Sequence, residues 1–349
     1  MGMAAEDSPP MRIAIVTDAW HPQRNGVVRV LSTLADVLRG MGHTVGVFEP
    51  GAFTTLPCPS YPEIPLALFP GGRLGGMLEA FAPDAIHLAT EGPLGWAARR
   101  WCLGRGLPFT TAYHTKFPHY VRARTGVPLA WPYALVRRFH APSAAVMCPS
   151  PSVYRELGEW GFVNRAEWSH GVDTRTFRPQ PKDFVDLPRP LFMYVGRVAV
   201  EKNLPAFLSL DLPGSRMVVG DGPARAPLMR RFPHVHWRIA NGDEELSRYF
   251  AAADCFVFPS LTDTFGLVML EALASGVPVA AYPVPGPADV VGDAPVGVLG
   301  HDLGAAALAA LTVDPAACRD HAARFSWEAV ARQFLGLLRP IGRSAADAA

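Results

Sequence analysis

Two carboxylates, Asp263 and Glu271, stand eight positions apart in the run Asp263-Thr-Phe-Gly-Leu-Val-Met-Leu-Glu271. An apolar segment, Cys255-Phe-Val-Phe-Pro259, precedes them, and the stop signal Ala274-Ser-Gly-Val-Pro278 follows. That order predicts a strand running into a helix. The N-terminus of such a helix offers a phosphate free backbone N–H groups and the positive end of the dipole. Phe265, Gly266 and Leu267 form the helix start, and Gly266 lets a ligand come close to the backbone. Asp263 falls before the helix and Glu271 about two turns inside it. So spaced, they suit hydroxyls on either side of a diphosphate, as in a nucleotide-sugar.

A second element of this kind lies upstream. Gly196-Arg197-Val-Ala-Val-Glu201-Lys202-Asn203 follows directly on the apolar run Leu191–Val195. Arg197 is a planar fork for paired phosphate oxygens and Lys202 a compact point charge. Taken alone, the loop reads equally as a solvated turn with a Glu201–Lys202 pair. Its place at a strand's carboxyl end, ahead of Asp263, favours the phosphate reading. Gly220-Asp221-Gly222-Pro223 ends the next apolar run, where Asp221 and Gly222 make a tight turn for a flat base or a plain turn. In the first half, Asp18…Asn25-Gly26-Val27 joins a strand to a helix, and Gly26 admits a phosphate or a sugar there. Tyr113-His114-Thr115-Lys116-Phe117 closes another strand, which makes His114 a candidate for the reaction centre as well as for a structural role. Neither Gly-x-Gly-x-x-Gly nor a P-loop occurs. No two aspartates are separated by a single residue, so an Asp-x-Asp metal clamp is missing. The expectation is therefore no metal and no other cofactor, with phosphate charge met by Arg197, Lys202 and helix N–H groups.

These residues need a scaffold of alternating strands and helices. Short apolar runs alternate with helical periodicity, which predicts parallel sheets covered by helices. Strands are expected at 12–17, 45–48, 85–88, 109–113 and 145–148, then at 191–195, 217–219, 235–239, 255–258 and 277–280. Val27 to Arg39 carries helical spacing and stops at Gly40. The expected class is α/β, with two Rossmann-like domains facing across a cleft that would gather ligands at the carboxyl ends of both sheets. The boundaries read as a disordered leader at 1–10, a first domain at 11–180, a second at 181–325, and a helix and tail at 326–349 packing back on the first domain. Phe177 to Pro190 holds four prolines and several charges and reads as the linker. Met11 is an alternative start.

At 349 residues, 49% hydrophobic and 18% charged, the chain is a folded protein of two ordinary domains. A net charge of +1 gives no global reason to expect nucleic acid as a partner. Five scattered cysteines, with no Cys-x-x-Cys pair, read as reduced thiols of a cytoplasmic protein. No secretory signal is seen and no apolar run approaches the roughly 18 residues of a membrane span, so membrane contact would be peripheral.

Charge is nevertheless uneven. From Gly92 to Tyr154 there is no Asp or Glu, against eight Arg and Lys interleaved with aromatic residues. Lys116, Arg122, Arg124, Trp131, Arg137 and Arg138 are the candidates for an anionic membrane surface and its lipid acceptor. An ordinary solvated face above core aromatics is the competing reading.

Taken together, Asp18…Gly26-Val27, Tyr113-His114-Thr115, Gly196-Arg197…Lys202-Asn203, Gly220-Asp221-Gly222-Pro223 and Asp263…Phe265-Gly266…Glu271-Ala272 resemble the retaining family-4 glycosyltransferases of the two-Rossmann GT-B fold, over nearly all of residues 11–340. The resemblance implies that Arg197 and Lys202 hold the donor diphosphate, assisted by the Gly266 and Leu267 N–H groups. It puts Glu271 on the ribose, Asp263 on the transferred sugar, His114 at the reaction centre and Gly26 near the phosphates and acceptor. The family commonly has Glu where Asp263 stands, and one methylene fewer bears on donor choice. The Thr-Asp-Thr-Phe-Gly and Tyr-His-Thr-x-Phe-Pro strings are similar to the branch of sulfoquinovosyl-lipid synthases and bacterial mannosyl- and diacylglycerol glycosyltransferases. The implied reaction moves a hexose, with glucose or glucuronate favoured, from a nucleotide-sugar to a lipid such as diacylglycerol at the inner face of the cytoplasmic membrane. GDP-mannose as donor, a soluble or polysaccharide acceptor, and a binding module without catalysis are the alternatives.

Overall fold

The structure, a computed structural model, describes residues 9–23, 25–58 and 61–342, apart from the side chains of residues 61–63, 123 and 124. All but the last two residues of the expected leader lie outside the described residues. The chain forms two compact units. One runs to Ser169 and resumes at Trp327, and the other is His170–Ser326.

The first unit opens with β1 (Arg12–Val16), α1 (Gly26–Gly40) and β2 (Thr44–Phe48), then β3 (Thr55–Cys58) and β4 (Tyr61–Ala67). It continues with α2 (Gly71–Phe81), β5 (Ala85–Leu88), α3 (Pro93–Gly104), β6 (Thr110–Ala112), α4 (Phe117–Thr125), α5 (Ala130–His140), β7 (Val146–Cys148), α6 (Pro151–Glu159) and β8 (Arg165–Glu167). Six strands pair in parallel in the order β2-β1-β5-β6-β7-β8. Helices cover the sheet, which is why Ile13, Ala14, Ile15 and Val16 run without a polar break and are all buried. α1 shows how a sequence pattern becomes an element. Asn25 caps it, its side chain accepting from Val28 N–H at 3.0 Å, and Val28, Val30, Leu31, Leu34, Ala35 and Leu38 form one buried face.

The second unit repeats the architecture with β9 (Leu191–Val195), α7 (Leu204–Leu208), β10 (Ser215–Val219), α8 (Arg225–Arg231), β11 (His236–Arg238), α9 (Asp243–Ala252) and β12 (Cys255–Phe258). It ends with α10 (Leu267–Ala274), β13 (Val279–Ala281), α11 (Pro287–Val290), β14 (Gly297–Leu299), α12 (Leu303–Ala310) and α13 (Pro315–Ala322). Its parallel sheet is ordered β11-β10-β9-β12-β13-β14. Four strands were not legible beforehand. β8 and β14 are three-residue edge strands, too short for a period. β3 and β4 form an antiparallel ribbon that carries Pro57 and Pro65, residues tolerated only where a ladder N–H is not needed.

The proline-rich linker reading is corrected. Phe177 is buried with its ring edge-on to Phe250, Val172 N–H donates to Phe325 O at 2.9 Å, and Gln180 donates to Ser247. Lys182 and Arg189 both pair with Asp254, at 2.7 and 2.5 Å. Residues 170–190 are therefore pinned along the second unit. Prolines announce extended backbone but not whether distant partners hold it.

The final helix, α14 (Trp327–Leu337), returns to the first unit as expected. Trp168 Nε1–H donates to Val330 O at 3.2 Å, and Phe334 packs against both Trp168 and His87. Phe334 is fully buried, so Phe334→Ala is expected to cost about 3–5 kcal/mol through lost contacts and a cavity. Urea unfolding followed by circular dichroism measures it. A cost below about 1 kcal/mol would mean that α14 is not an integral part of the first unit.

Candidate active site

In each sheet the strand order reverses once, and ligands of open α/β sheets bind outside the carboxyl ends of the strands at that reversal. In the second unit the reversal lies between β9 and β12. The loops that leave those two strands are 196–203 and 259–266, the two that sequence had singled out.

They are joined by charge and by backbone. Lys202 Nζ bonds Asp263 Oδ1 in an ion pair whose side chains are 18% and 14% exposed. Next to it, Asn203 adopts a left-handed φ of 52° and its Nδ2–H donates to Pro259 O at 3.1 Å. Asn tolerates that backbone better than most residues. Asp263 Oδ2 is buried and has no hydrogen-bond partner among the described residues. A buried carboxylate oxygen so placed leaves an acceptor for a ligand hydroxyl.

α10 begins at Gly266, with φ of 90° and no side chain capping its N-terminus. Its first N–H groups, Leu267 included, therefore face outward with the dipole behind them. Glu271 is buried, and as the fifth residue of α10 it lies little more than one turn in, not two, because the loop extends through Gly266. Arg197 is half-buried, its carbonyl accepting from Tyr194 Oη–H at 3.0 Å. Phe265 is a core residue, its ring edge-on to His170 at 5.1 Å, and anchors the loop. A Cβ on Gly220 or Gly222 would come within 2.0 Å of Gly196 O or 2.4 Å of Val198 O. Those glycines let two backbones cross, sealed by Val198 N–H to Asp221 O at 2.8 Å. Asp221 itself is exposed and accepts from Gly222 N–H.

In the first unit the reversal lies between β1 and β5, and there the protein supplies its own anion. Asp18 is buried at the N-terminus of α3, accepting from Leu94 N–H and Thr90 Oγ1–H at 2.9 Å each and from Gly95 N–H at 3.4 Å. Burial pushes its carboxyl above the ordinary range against the pull of those donors. Sequence had marked Asp18 only as part of a motif, not as the cap of a helix 75 residues away. Gly26 is exposed at the start of α1 with open space around it. His114 is half-buried, its ring edge-on to Trp168 at 5.7 Å.

The basic stretch divides. Lys116 is removed from the membrane candidates, because it is buried and bonded to Glu156 at 2.6 Å. Glu156 also takes hydrogen bonds from Tyr133 Oη at 2.6 Å and His119 Nε2 at 3.1 Å, tying α4, α5 and α6 together. Sequence missed it because Glu156 lies just beyond the acid-free stretch and 40 residues from its lysine. Arg122, Trp131, Arg137 and Arg138 are exposed, and the side chain of Arg124 lies outside the described residues. On α5, Trp131 (72% exposed), Leu135 and Arg138 share one outward face with Ala134.

Comparison with known proteins shows the family. The Glycosyltransferase Family 4 model matches residues 24–176 and the Glycosyl transferases group 1 model residues 189–314. A GDP-mannose-dependent alpha-mannosyltransferase of Mycobacterium tuberculosis is 30% identical over 80% of this chain and 81% of its own. An alpha-monoglucosyldiacylglycerol synthase of Streptococcus pneumoniae is 29% identical over 87% and 79%. Sulfoquinovosyl transferase SQD2 of Arabidopsis thaliana is 32% identical over 68% of this chain, which spans half of that protein's length. Among solved structures, a sucrose-phosphate synthase from Thermosynechococcus elongatus superposes with a TM-score of 0.73 over 94% of this chain and 98% of its own, at 21% identity. The chain belongs to the GT-B glycosyltransferases that join a Family 4 amino-terminal domain to a group 1 carboxy-terminal domain.

The Glu156 cluster carries a prediction of its own. Burial alone would raise the Glu156 carboxyl, but the hydrogen bonds from His119, Lys116 and Tyr133 outweigh it and hold the group at about 2. Its stabilisation is therefore complete above the unfolded value of about 4.3 and is lost as pH falls toward 2. Glu156→Gln is expected to cost about 3–5 kcal/mol at pH 7, by leaving the Lys116 charge buried without its partner. Below pH 3 the difference from wild type should shrink. Equal stability of the two proteins at pH 7 would contradict the assignment.

Proposed function

We propose that this glycosyltransferase is a retaining, metal-independent hexosyltransferase that moves a sugar from a nucleotide-sugar to a membrane lipid acceptor such as diacylglycerol. The observation that carries the donor half is the Lys202–Asp263 pair beside the uncapped start of α10, at the strand reversal between β9 and β12. Lys202 and Arg197, with the Gly266 and Leu267 N–H groups, meet the diphosphate. Asp263 Oδ2 takes a hydroxyl of the transferred sugar, and Glu271 takes the ribose hydroxyls. His114 and Gly26 lie on the first unit, where the resemblance puts the acceptor.

In this mechanism the sugar–phosphate bond loosens while the acceptor hydroxyl enters from the same face. The departing phosphate oxygen takes the acceptor's proton, so the protein contributes position and a preorganised field for the leaving diphosphate. Lys202 serves that field directly, and the arriving diphosphate competes with Asp263 for it. Lys202→Ala is expected to lower turnover by about two orders of magnitude. Near-wild-type turnover in that variant, read by nucleotide release, would take Lys202 out of the mechanism.

The acceptor half rests on α5. Trp131, Leu135 and Arg138 give an outward face that pairs apolar groups with a cation, the chemistry that docks on anionic headgroups. A relative named for monoglucosyldiacylglycerol synthesis supports it, and UDP-glucose or UDP-glucuronate is the favoured donor. GDP-mannose is the second reading, favoured by the mycobacterial mannosyltransferase, which aligns over most of both chains.

The deciding experiment offers UDP-glucose, UDP-glucuronate, UDP-galactose and GDP-mannose, in EDTA, with anionic liposomes containing diacylglycerol, and analyses extracted lipids by mass spectrometry. A glycolipid from one donor, retained in configuration, is the expected outcome. Nucleotide release without glycolipid would move the acceptor off the membrane, and activity restored only by a divalent ion would overturn metal independence.

A further inference from the structure

We infer that Ser260 binds the donor diphosphate, its hydroxyl donating to a phosphate oxygen that Lys202 holds at the same time. This rests on the reading that the loops after β9 and β12 take a nucleotide-sugar, and it adds a ligand that no motif contains.

The first observation is an unmet hydrogen-bonding group. Ser260 is 1% exposed, and its Oγ has no partner among the described residues. Several buried hydroxyls elsewhere in this chain find partners internally, although Tyr113 Oη does not. Ser247 donates to Glu244 O and accepts from Gln180, Ser143 donates to Ala145 O, and Thr111 donates to Ser143. Ser275 is the other buried serine without one, and it caps the far end of α10. A dry hydroxyl carries its full desolvation cost with no return, so a side chain that ends up so placed next to a binding site points to a ligand as its acceptor.

The second observation is position. Pro259, the residue before Ser260, has its carbonyl held by Asn203, and Asp263, three residues after it, is held by Lys202. The arc 259–263 is thus tied at both ends to two consecutive residues of the phosphate loop, and Ser260 lies within it. A hydroxyl is both donor and acceptor and turns to suit its partner. For a hydroxyl on the arc that the Lys202–Asp263 ion pair ties down, the favoured acceptor is an oxyanion. Phosphate is the anion that the β9–β12 reversal is built to receive.

Calorimetry with UDP and GDP on the full chain tests this without turnover. Ser260→Ala, and Ser260→Cys of nearly the same shape but weak as a donor, are expected to bind the preferred nucleotide about ten-fold more weakly. The thermal midpoint without ligand should hold or rise in Ser260→Ala, because an unmet polar group is removed. A structural hydroxyl would behave the opposite way, lowering the midpoint and leaving affinity unchanged. If Lys202→Ala loses affinity while both Ser260 variants bind as wild type does, the inference on Ser260 fails and the donor site stands. If the wild-type protein binds neither nucleotide, the donor-site reading fails and the inference falls with it.

Discussion

The site depends on a contact between two loops, made by residues 61 positions apart in sequence. Lys202 and Asp263 meet because β9 and β12 are hydrogen-bonded neighbours, with strand order reversing between them. In open α/β sheets the crossover connections diverge to opposite faces at such a reversal, and ligands bind outside the strand ends there. The ion pair joins the two loops yet leaves one Asp263 carboxylate oxygen unmet among the described residues. Two charges desolvated together gain little net stability, so such a pair is a poor structural device and a ready site for an anionic ligand to exchange into.

The two units use one architecture with opposite electrostatics. At the reversal in the first, Asp18 is folded into the N-terminus of α3, and Gly92 makes room for it, since a Cβ there would come within 2.4 Å of the Asp18 carboxyl. A helix N-terminus already satisfied by its own carboxylate offers little to a phosphate. α10 in the second unit begins at a glycine with no cap. Of these two helix starts, only that of α10 is left without a carboxylate of the protein's own.

Surface charge follows the same logic of pairing. Of the cations between Gly92 and Tyr154, Lys116 is neutralised inside the first unit by Glu156, Arg99 is spent on the Phe139 and Arg138 carbonyls, and Arg105 pairs with Glu79. The basic character that remains on α5 stands beside Trp131 and Leu135, apolar groups with no place in the core. The stretch is thus less basic than its composition and more amphipathic than its pattern.

Much was legible without coordinates. Continuous apolar runs set the strands of both sheets, and glycine, lysine and carboxylate spacing located the loops at their ends, because these depend on local backbone geometry and on side-chain chemistry that near neighbours do not alter. The long elements and Lys202, Asp263 and Gly266 belong to that class. What the tertiary structure decided are the pairings. Pro-rich residues 177–190 turned from linker into packed surface and Lys116 from membrane contact into buried ion, while the Phe265 ring took a place in the core and Gly220 and Gly222 a backbone crossing. Each outcome turns on a partner 24 to 95 residues away, and sequence distance carries no information about which charges and surfaces folding will bring within reach.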